Sequence, residues 1–262
     1  MAAQTPTAGG SDASTETALY LYGVTWAEAA RSQRGAGVHG ASVGAIRHRE
    51  LAGLTSPVES TKVRAKRRDL LNHAEVLKKA LEHGTVLPLR FGVVFESAEA
   101  LVEDFLDPRY AELVQLLRSF EGRVELSVKA FFREEAILGE VVRGNPRIKQ
   151  LRETTRTSTG SSMYPLRVEL GERVAAELQE RTLRARQALL DRLSRLAVDV
   201  QVDQEPIEHR VLAASFLVER KRVAAFDDAM NELAKEEEPR MQFKYLGPLA
   251  PHSFVALSAE AR

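Results

Sequence analysis

The sequence of 262 residues contains no cysteine, no long apolar run and no excess of either charge. Without cysteine there are no disulfides, thiolate metal ligands or cysteine nucleophiles, which is typical of a protein of the reducing cytoplasm. No segment approaches the ~20 apolar residues that a membrane span needs, so we expect no lipid membrane partner. Lysine plus arginine and aspartate plus glutamate both number 37, so the whole molecule is not built to attract nucleic acid.

The distribution of polar residues predicts how the chain is divided. Residues 1–17 hold almost nothing that a core could bury, so we predict a disordered tail with neither a signal peptide nor an anchor. The Ser/Thr/Gly-rich run TTRTSTGSS, at 154–162, predicts a linker. It would separate an N-terminal domain, 18–153, from a C-terminal domain, 163–257.

The C-terminal domain shows the clearer order of elements. MYPLRV, at 163–168, predicts a strand, and an apolar stripe predicts a long helix over 169–196. The later elements are strands at 198–202, 210–218 and 241–247, with a helix at 221–237 between the last two. This β-α-β-β-α-β order is that of the ferredoxin-like fold.

The N-terminal domain has a similar order with additional strand material before its first helix. Apolar residues predict strands at 18–24 and 84–95. In RVELSVKAFF, at 123–132, apolar and polar residues alternate, which predicts a strand with one solvent-exposed face. A helix is predicted from Lys62, with the apolar stripe Val63, Leu70, Ala74, Leu77 and Leu81. We therefore predict an α+β protein with two domains, each with a ferredoxin-like or modified ferredoxin-like core and helices packed on antiparallel sheets.

GAGVHG, at 35–40, matches the G-x-G-x-x-G pattern of a dinucleotide-binding turn. Such a turn needs a buried strand before the glycines and a helix after them, so that backbone N–H groups and the helix dipole meet the pyrophosphate. Here polar AARSQR precedes the glycines and no helix start follows them. We therefore interpret GAGVHG as a loop between early elements and predict no dinucleotide cofactor.

Other catalytic patterns are equally incomplete. His73 and Glu75 have the H-x-E spacing of a zinc deaminase, but its cysteine ligands are absent from the chain. There is no G-x-S-x-G and no P-loop. A site of histidines and carboxylates assembled across the fold stays open at this stage. We predict no enzyme activity, no cofactor and no catalytic residue.

The run KVRAKRR, at 62–68, places five cations in seven residues. No aromatic side chain that could stack on a base lies within it, and cations at a helix N-terminus oppose the helix dipole. Lys62, Arg64 and Arg67 are therefore candidates for binding an acidic partner, either within the molecule or outside it. We expect no nucleic acid partner.

Two segments are similar to a known family. NHAEVLKKALEHGTVLPLRFGVVFES, at 72–97, resembles the most characteristic block of the gas vesicle protein GvpF/GvpL family, and FKYLGPLAPHSFV, at 243–255, resembles its closing block. The likeness covers about residues 18–257. Leu249 and His252 stand where we would expect larger aromatic residues, which leaves open whether the chain is nearer to F or to L.

The resemblance implies a non-enzymatic accessory or minor structural protein, with a chaperone-like role in gas vesicle assembly. The expected partners are the shell protein GvpA and other Gvp proteins, and the expected location is the cytoplasm and the gas vesicle. Pro88, Arg90, Phe91 and Gly92 lie on a strand whose proline interrupts the ladder, so they are candidates for a docking edge. The alternative is that Phe91 lies in the core and Arg90 makes an internal salt bridge.

Two other functions remain possible from the sequence. A ferredoxin-like pair of domains could bind a small molecule or catalyse a reaction, because the fold alone does not determine function. An RNA-binding module would need exposed aromatic residues on its sheet, and that pattern is missing here.

Overall fold

A computed structural model describes residues 17–30, 35–157, 163–255 and 257. These residues form two compact units, one of residues 17–30, 35–83, 89–115 and 257, and the other of 84–88, 116–157 and 163–255. Within these ranges, no helix has the length and apolar composition needed to cross a membrane.

Nine strands and seven α-helices are described. The strands are β1 Ala18–Trp26, β2 Gly44–His48, β3 Leu51–Val58, β4 Val86–Pro88, β5 Val94–Phe95, β6 Arg123–Phe132, β7 Asp199–Val202, β8 Arg210–Glu219 and β9 Met241–Leu249. The helices are α1 Arg67–His83, α2 Ala98–Leu101, α3 Tyr110–Ser119, α4 Glu134–Gly144, α5 Pro146–Thr157, α6 Tyr164–Leu193 and α7 Val223–Glu237. A π-helical turn, Val102–Leu106, continues α2.

The first sheet has the strand order β2-β3-β1-β4, with β5 also paired to β1. All pairings recorded for β1, β2, β3 and β5 are antiparallel. β1 is central and buried along nearly its whole length, which explains its apolar and aromatic sequence ALYLYGVTW. Polar side chains on this strand must therefore find partners inside the unit.

The second sheet confirms the α+β prediction. Its strand order is β7-β8-β6-β9, all pairs are antiparallel, and helices separate β6 from β7 and β8 from β9. This is the ferredoxin-like arrangement. One face is covered by residues of α6 and α7, including Leu189, Leu193, Phe226 and Met230. Each such buried side chain contributes roughly 1.5–3 kcal/mol of hydrophobic stabilisation.

One strand of the C-terminal prediction is wrong. Residues 164–168 are not extended but begin α6, which runs to Leu193 and holds a proline in its first turn. Proline is tolerated in a first turn because no intrahelical bond is lost there. The first strand of the ferredoxin-like sheet is instead β6, which has the predicted bounds 123–132. The domain boundary at 154–162 stays a prediction, and residues 158–162 lie outside the described ranges.

Helix α1 also differs from its prediction. It begins at Arg67, so most of the basic run lies in the non-helical segment before it. Its buried residues are Asp69, His73, Val76, Leu77, Ala80 and Leu81. Leu70 and Ala74, two members of the predicted apolar stripe, are exposed. The pattern is misleading here because Asp69 and His73 occupy the buried face, where apolar residues are expected.

Candidate partner-binding site

A three-residue bulge interrupts the strand predicted at 84–95. The chain pairs with β1 through Leu89 N–H, which donates to Tyr22 O at 2.9 Å, and again through Val93 O, which accepts from Leu21 N–H at 2.9 Å. Residues 90–92 lie between these two bonds and form a turn, with Gly92 at a φ of 99°. That left-handed conformation favours glycine. The predicted continuous strand is therefore wrong at this point.

Buried aromatic side chains hold the bulge in place. The Phe91 ring centroid lies 5.6 Å from that of Tyr20 and 5.8 Å from that of His73. Tyr20 Oη lies 2.8 Å from His73 Nδ1 and accepts a hydrogen bond from Gly92 N–H at 3.1 Å. The half-buried Phe91 ring and one backbone N–H thus anchor residues 90–92 to β1 and α1.

The bulge presents Arg90 to solvent. Arg90 is exposed, and the described residues provide its side chain with no ion pair or hydrogen bond. The alternative, an internal salt bridge of Arg90, therefore finds no partner among the described residues. Pro88 is buried at the end of β4, so only its neighbours at 90–92 are accessible.

The basic residues predicted for partner binding lie at the start of α1. Lys62 and Arg64 belong to the segment before the helix and Arg67 is its first residue. All three are exposed, and none makes a side-chain ion pair with the described residues. Nearby, Lys66 and Arg68 line a groove of about 550 Å³ together with the carboxylates of Glu59 and Asp69. Lys62, Arg64 and Arg67 are therefore exposed cations that make no ion pair with the described residues.

The GAGVHG segment is closed by its own hydrogen bonds. Gly37 N–H donates to Ala41 O at 2.7 Å, Val38 N–H to Tyr22 Oη at 2.7 Å and His39 N–H to Asp69 Oδ1 at 2.9 Å. The next two N–H groups donate to Gly37 O and Val38 O. Five consecutive amides are thus already bonded within the chain, so they do not form a preorganised cradle for a phosphate.

The sequence did not predict the polar network beneath this segment. Tyr22 Oη donates to Ser56 Oγ at 2.9 Å, and Asn72 Nδ2 donates to Gly37 O at 2.8 Å. Burial raises the pKa of the Tyr22 hydroxyl and of the neighbouring Tyr20 hydroxyl above the ordinary range. The sign of this network in the sequence was a pair of tyrosines, Tyr20 and Tyr22, on one face of a largely apolar strand.

The histidine patterns do not assemble a catalytic site. His73 is buried beside Tyr20, whereas Glu75 is exposed and its Oε1 atom lies 3.8 Å from Lys79 Nζ. In the part of the chain that the structure describes, no group of three or more metal-binding side chains comes together. His73 therefore serves the aromatic cluster that supports the bulge.

The closing block, residues 243–255, ends in a segment that folds back onto the second sheet. The buried Glu125 carboxylate of β6 accepts Ser253 N–H at 2.8 Å and Ser253 Oγ–H at 2.7 Å. His252 lies beside it along an open groove of about 430 Å³. The histidine and the carboxylate that converge here would be the nearest support for an enzymatic alternative. Both Glu125 oxygens, however, are engaged in holding Ser253.

Glu125→Ala is expected to lower the free energy of unfolding by about 2–3 kcal/mol, because two donors of Ser253 would lose a charged acceptor. Urea denaturation followed by circular dichroism measures this change, and hydrogen exchange at the Ser253 amide measures its local effect. Glu172→Ala, which removes an exposed carboxylate from α6, is the matched control. Equal effects of the two variants would show that Glu125 does not anchor the closing block.

The fold and the site together define an α+β protein with two antiparallel sheets and an exposed, aromatic-anchored bulge at the edge of the first. A family model described as "Gas vesicle synthesis protein GvpL/GvpF" matches residues 18–256. The chain therefore belongs to the GvpL/GvpF family, and the resemblance seen in the two sequence blocks is confirmed.

Individual relatives agree with the family match. The chain is 37% identical over 205 residues to gas vesicle protein F of Streptomyces sp. (strain CB03234), covering 78% of this chain and 84% of that protein. It is 30% identical over 208 residues to gas vesicle protein F of Nostoc sp. (strain PCC 7120 / SAG 25.82 / UTEX 2576), with the same two coverages of 78% and 84%.

The fold is similar to that of a solved relative. The crystal structure of the gas vesicle protein GvpF from Anabaena sp. PCC7120 superposes with a TM-score of 0.79 at 27% identity. The match covers 93% of this chain and 100% of that one. It extends over both sheets, which confirms the predicted α+β class.

Proposed function

We propose that this chain is a non-enzymatic accessory protein of gas vesicle assembly that acts in the cytoplasm and binds the shell protein GvpA and other Gvp proteins. The observation that carries this proposal is the family match over residues 18–256. The family description concerns gas vesicle synthesis, which implies an assembly role. The partners are the finer part of the proposal and are what the family resemblance implies.

The bulge at 90–92 supports binding through side chains. An assembling shell subunit exposes apolar surface and strand edges that aggregate when uncovered. A bulged strand cannot extend another sheet along an unbroken ladder, because its hydrogen bonds are interrupted. Arg90 instead offers an exposed cation next to the half-buried Phe91 ring, and arginine and aromatic residues are enriched at protein interfaces.

Arg90→Glu is expected to weaken binding of GvpA at least tenfold, since it replaces the exposed cation of the bulge by an anion. The two proteins are co-expressed, GvpA in the soluble fraction is compared with and without this chain, and the complex is purified. Arg118→Glu, at an exposed position of α3, makes the same change of charge away from the bulge.

The co-expression experiment also tests the wider proposal. Soluble GvpA in a defined complex that the Arg118 control retains and the Arg90 variant loses would support it. GvpA that stays aggregated in the presence of the wild-type chain would contradict binding to GvpA. Equal losses in both variants would contradict the assignment of the bulge.

A further inference from the structure

The outer edge of β9 is a regular strand edge. β9 pairs on its inner side with β6, in a register that is unbroken over 241–246. Arg133 N–H donates to Arg240 O at 2.7 Å, and hydrogen bonds in an antiparallel ladder alternate between the two sides of a strand. The residues whose backbone groups point away from β6 are therefore Met241, Phe243 and Tyr245. No described residue forms a hydrogen bond with these backbone groups.

The opposite edge of the same sheet is closed by a side chain. Asp203 N–H donates to Ala213 O at 2.9 Å, so by the same alternation Val200 N–H lies on the outer side of β7. Asp199 Oδ1 accepts that N–H group at 2.8 Å. A side chain that occupies the backbone groups of an edge strand hinders the addition of another strand. Over 241–246 of β9, no described side chain makes such a contact.

The charged side chains at the β9 edge are engaged within their own chain. Arg240 Nε lies 2.7 Å from Glu140 Oε1. Lys244 is the only charged residue at 241–246, and its Nζ atom lies 5.6 Å from the centroid of the Phe131 ring. Lysine protects many edge strands from pairing. Because Phe131 belongs to β6, however, Lys244 leans over the sheet and away from the outer edge.

The edge is complementary to itself when two copies run antiparallel. A two-fold axis at Phe243 places Met241 opposite Tyr245 of the second copy, so each outward residue exchanges both of its backbone hydrogen bonds with that copy. Phe243 then meets Phe243 of the second copy, and aromatic cross-strand pairs are favourable. On the other face of the strand, Lys244 lies opposite the uncharged Gln242 of the second copy.

Neighbouring registers are less favourable because they oppose like charges. A slip of two residues in one direction places Lys244 opposite Lys244 of the second copy. The same slip in the other direction places Lys244 opposite Arg240 of the second copy. Like charges directly opposite each other destabilise a strand pair. Of these three registers, the one centred on Phe243 alone avoids them.

We propose that two copies of this chain pair through the outer edges of β9, antiparallel and centred on Phe243, so that their second sheets join into one continuous sheet. Such a contact is a closed two-fold interface, the commonest type in soluble oligomers, because one patch serves both copies. The proposal goes beyond the proposed function and does not rest on it, since the backbone and side chains of the edge carry it alone.

The dimer is expected to be weak. A single pair of short strands buries less than the roughly 1,200 Å² of a standard interface. Lys129 of β6 also lies directly opposite Lys244, so the open face beside the edge is positive. We expect a dissociation constant on the order of 100 µM. In sedimentation velocity, the full-length chain should then be monomeric at ~5 µM and mostly dimeric at ~500 µM.

Variants at position 242 test the register. Gln242 is exposed, and Gln242→Glu would place a carboxylate opposite Lys244 of the second copy, so we expect the dimer to tighten at least threefold. Gln242→Lys would oppose two lysines and is expected to weaken the dimer at least threefold. Adding Lys244→Glu to Gln242→Lys restores opposite charges and should restore the dimer. Gln201→Glu and Gln201→Lys, at an exposed position of β7, are the matched controls and should change nothing.

Introduced cysteines test the contact directly, because the chain has no thiol of its own. In the proposed ladder, positions 242 and 244 of different copies form a pair without hydrogen bonds, in which the Cβ atoms approach closely enough for a disulfide. An equimolar mixture of Gln242→Cys and Lys244→Cys, oxidised at ~100 µM, is expected to give at least fivefold more covalent dimer than either variant alone. Gln201→Cys is the control for random collisions.

Several results would overturn the proposal. A wild-type chain that is still monomeric at ~500 µM would contradict the dimer. Equal responses to the variants at 242 and 201 would contradict the assignment to β9, and equal yields from the cysteine mixture and the single variants would contradict the register. Circular dichroism verifies that each variant is folded. Dimerisation of a chain that fails to co-purify with GvpA would contradict only the proposed function.

Discussion

Gly37→Val is expected to lower the free energy of unfolding by about 3–5 kcal/mol. A Cβ atom at position 37 would overlap with Tyr22 Oη and lie 2.5 Å from Ser56 Oγ. Overpacking of a buried site costs typically ~1–3 kcal/mol, and each buried polar group left without a partner costs about 1–3 kcal/mol more. The site cannot relax easily, because Gly37, Tyr22 and Ser56 are all buried.

Gly37→Val is costly because the groups that the new side chain would displace are linked by hydrogen bonds. Val38 N–H donates to Tyr22 Oη, which donates to Ser56 Oγ, which donates in turn to Ser42 O at 2.8 Å. Moving the Tyr22 hydroxyl to make room for a side chain would therefore disturb three hydrogen bonds. Asn72, which donates to Gly37 O, would also lose its geometry. The glycine is required for this close approach, not for a phosphate.

Urea denaturation followed by circular dichroism measures the effect of Gly37→Val. Gly44→Ala is the matched control, because a Cβ atom at position 44 meets nothing within 4 Å. We expect the control to change stability by less than ~1 kcal/mol. A Gly37→Val protein as stable as the control would show that the network rearranges freely around position 37.

Strands with a regular apolar pattern were predictable from the sequence. The alternation in RVELSVKAFF predicted the observed bounds of β6, and the strand predicted at 210–218 is β8, which lies inside its sheet. Both patterns depend only on which faces of a strand are buried. Serine is a preferred N-cap residue, and Ser97 caps α2 by accepting Ala100 N–H at 3.1 Å.

The errors arose where several structures fit one local pattern. The short run MYPLRV is compatible with a strand or with the first turn of a helix, and only the fold around it decides. The segment at 84–95 alternates like a strand, but the turn at Phe91 and Gly92 depends on the Tyr20 ring and hydroxyl, which come from a distant part of the sequence.

The candidate site was only partly predictable. The sequence indicated Arg90 as a polar residue on an apolar strand, yet whether Arg90 would form an ion pair was decided by the tertiary structure. The exposure of Leu70 was hidden for the same reason, since burial of Asp69 and His73 turns a different face of α1 inward. Periodicity alone favours apolar residues for that face.

Alkaline solutions are expected to destabilise the protein through two buried tyrosines. Tyr20 and Tyr22 both have an exposure of 0%, and burial is the largest cause that raises the pKa of each hydroxyl above its ordinary value. In the unfolded chain a tyrosine ionises near pH 10. The folded state keeps both hydroxyls neutral beyond that pH, because an ionised phenol would lose its hydration in the core.

The direction of the effect follows from the number of protons bound by each state. Below about pH 10 both states hold the two protons, so the tyrosines contribute fully to stability. Above it the unfolded chain releases them while the folded chain retains them, so stability falls as pH rises towards the folded pKa. For a tyrosine that stays neutral in the folded chain, the loss approaches about 1.4 kcal/mol per pH unit above pH 10.

Tyr22→Phe separates this effect from other alkaline titrations. The variant loses hydrogen bonds at every pH, so the informative quantity is the difference in unfolding free energy between pH 8 and pH 11, measured by urea denaturation. We expect Tyr22→Phe to reduce the pH-dependent loss and Tyr164→Phe, which removes an exposed hydroxyl, to leave it unchanged. A loss that is the same in all three proteins would show that the Tyr22 hydroxyl reaches water in the folded state and that the network around Gly37 is open.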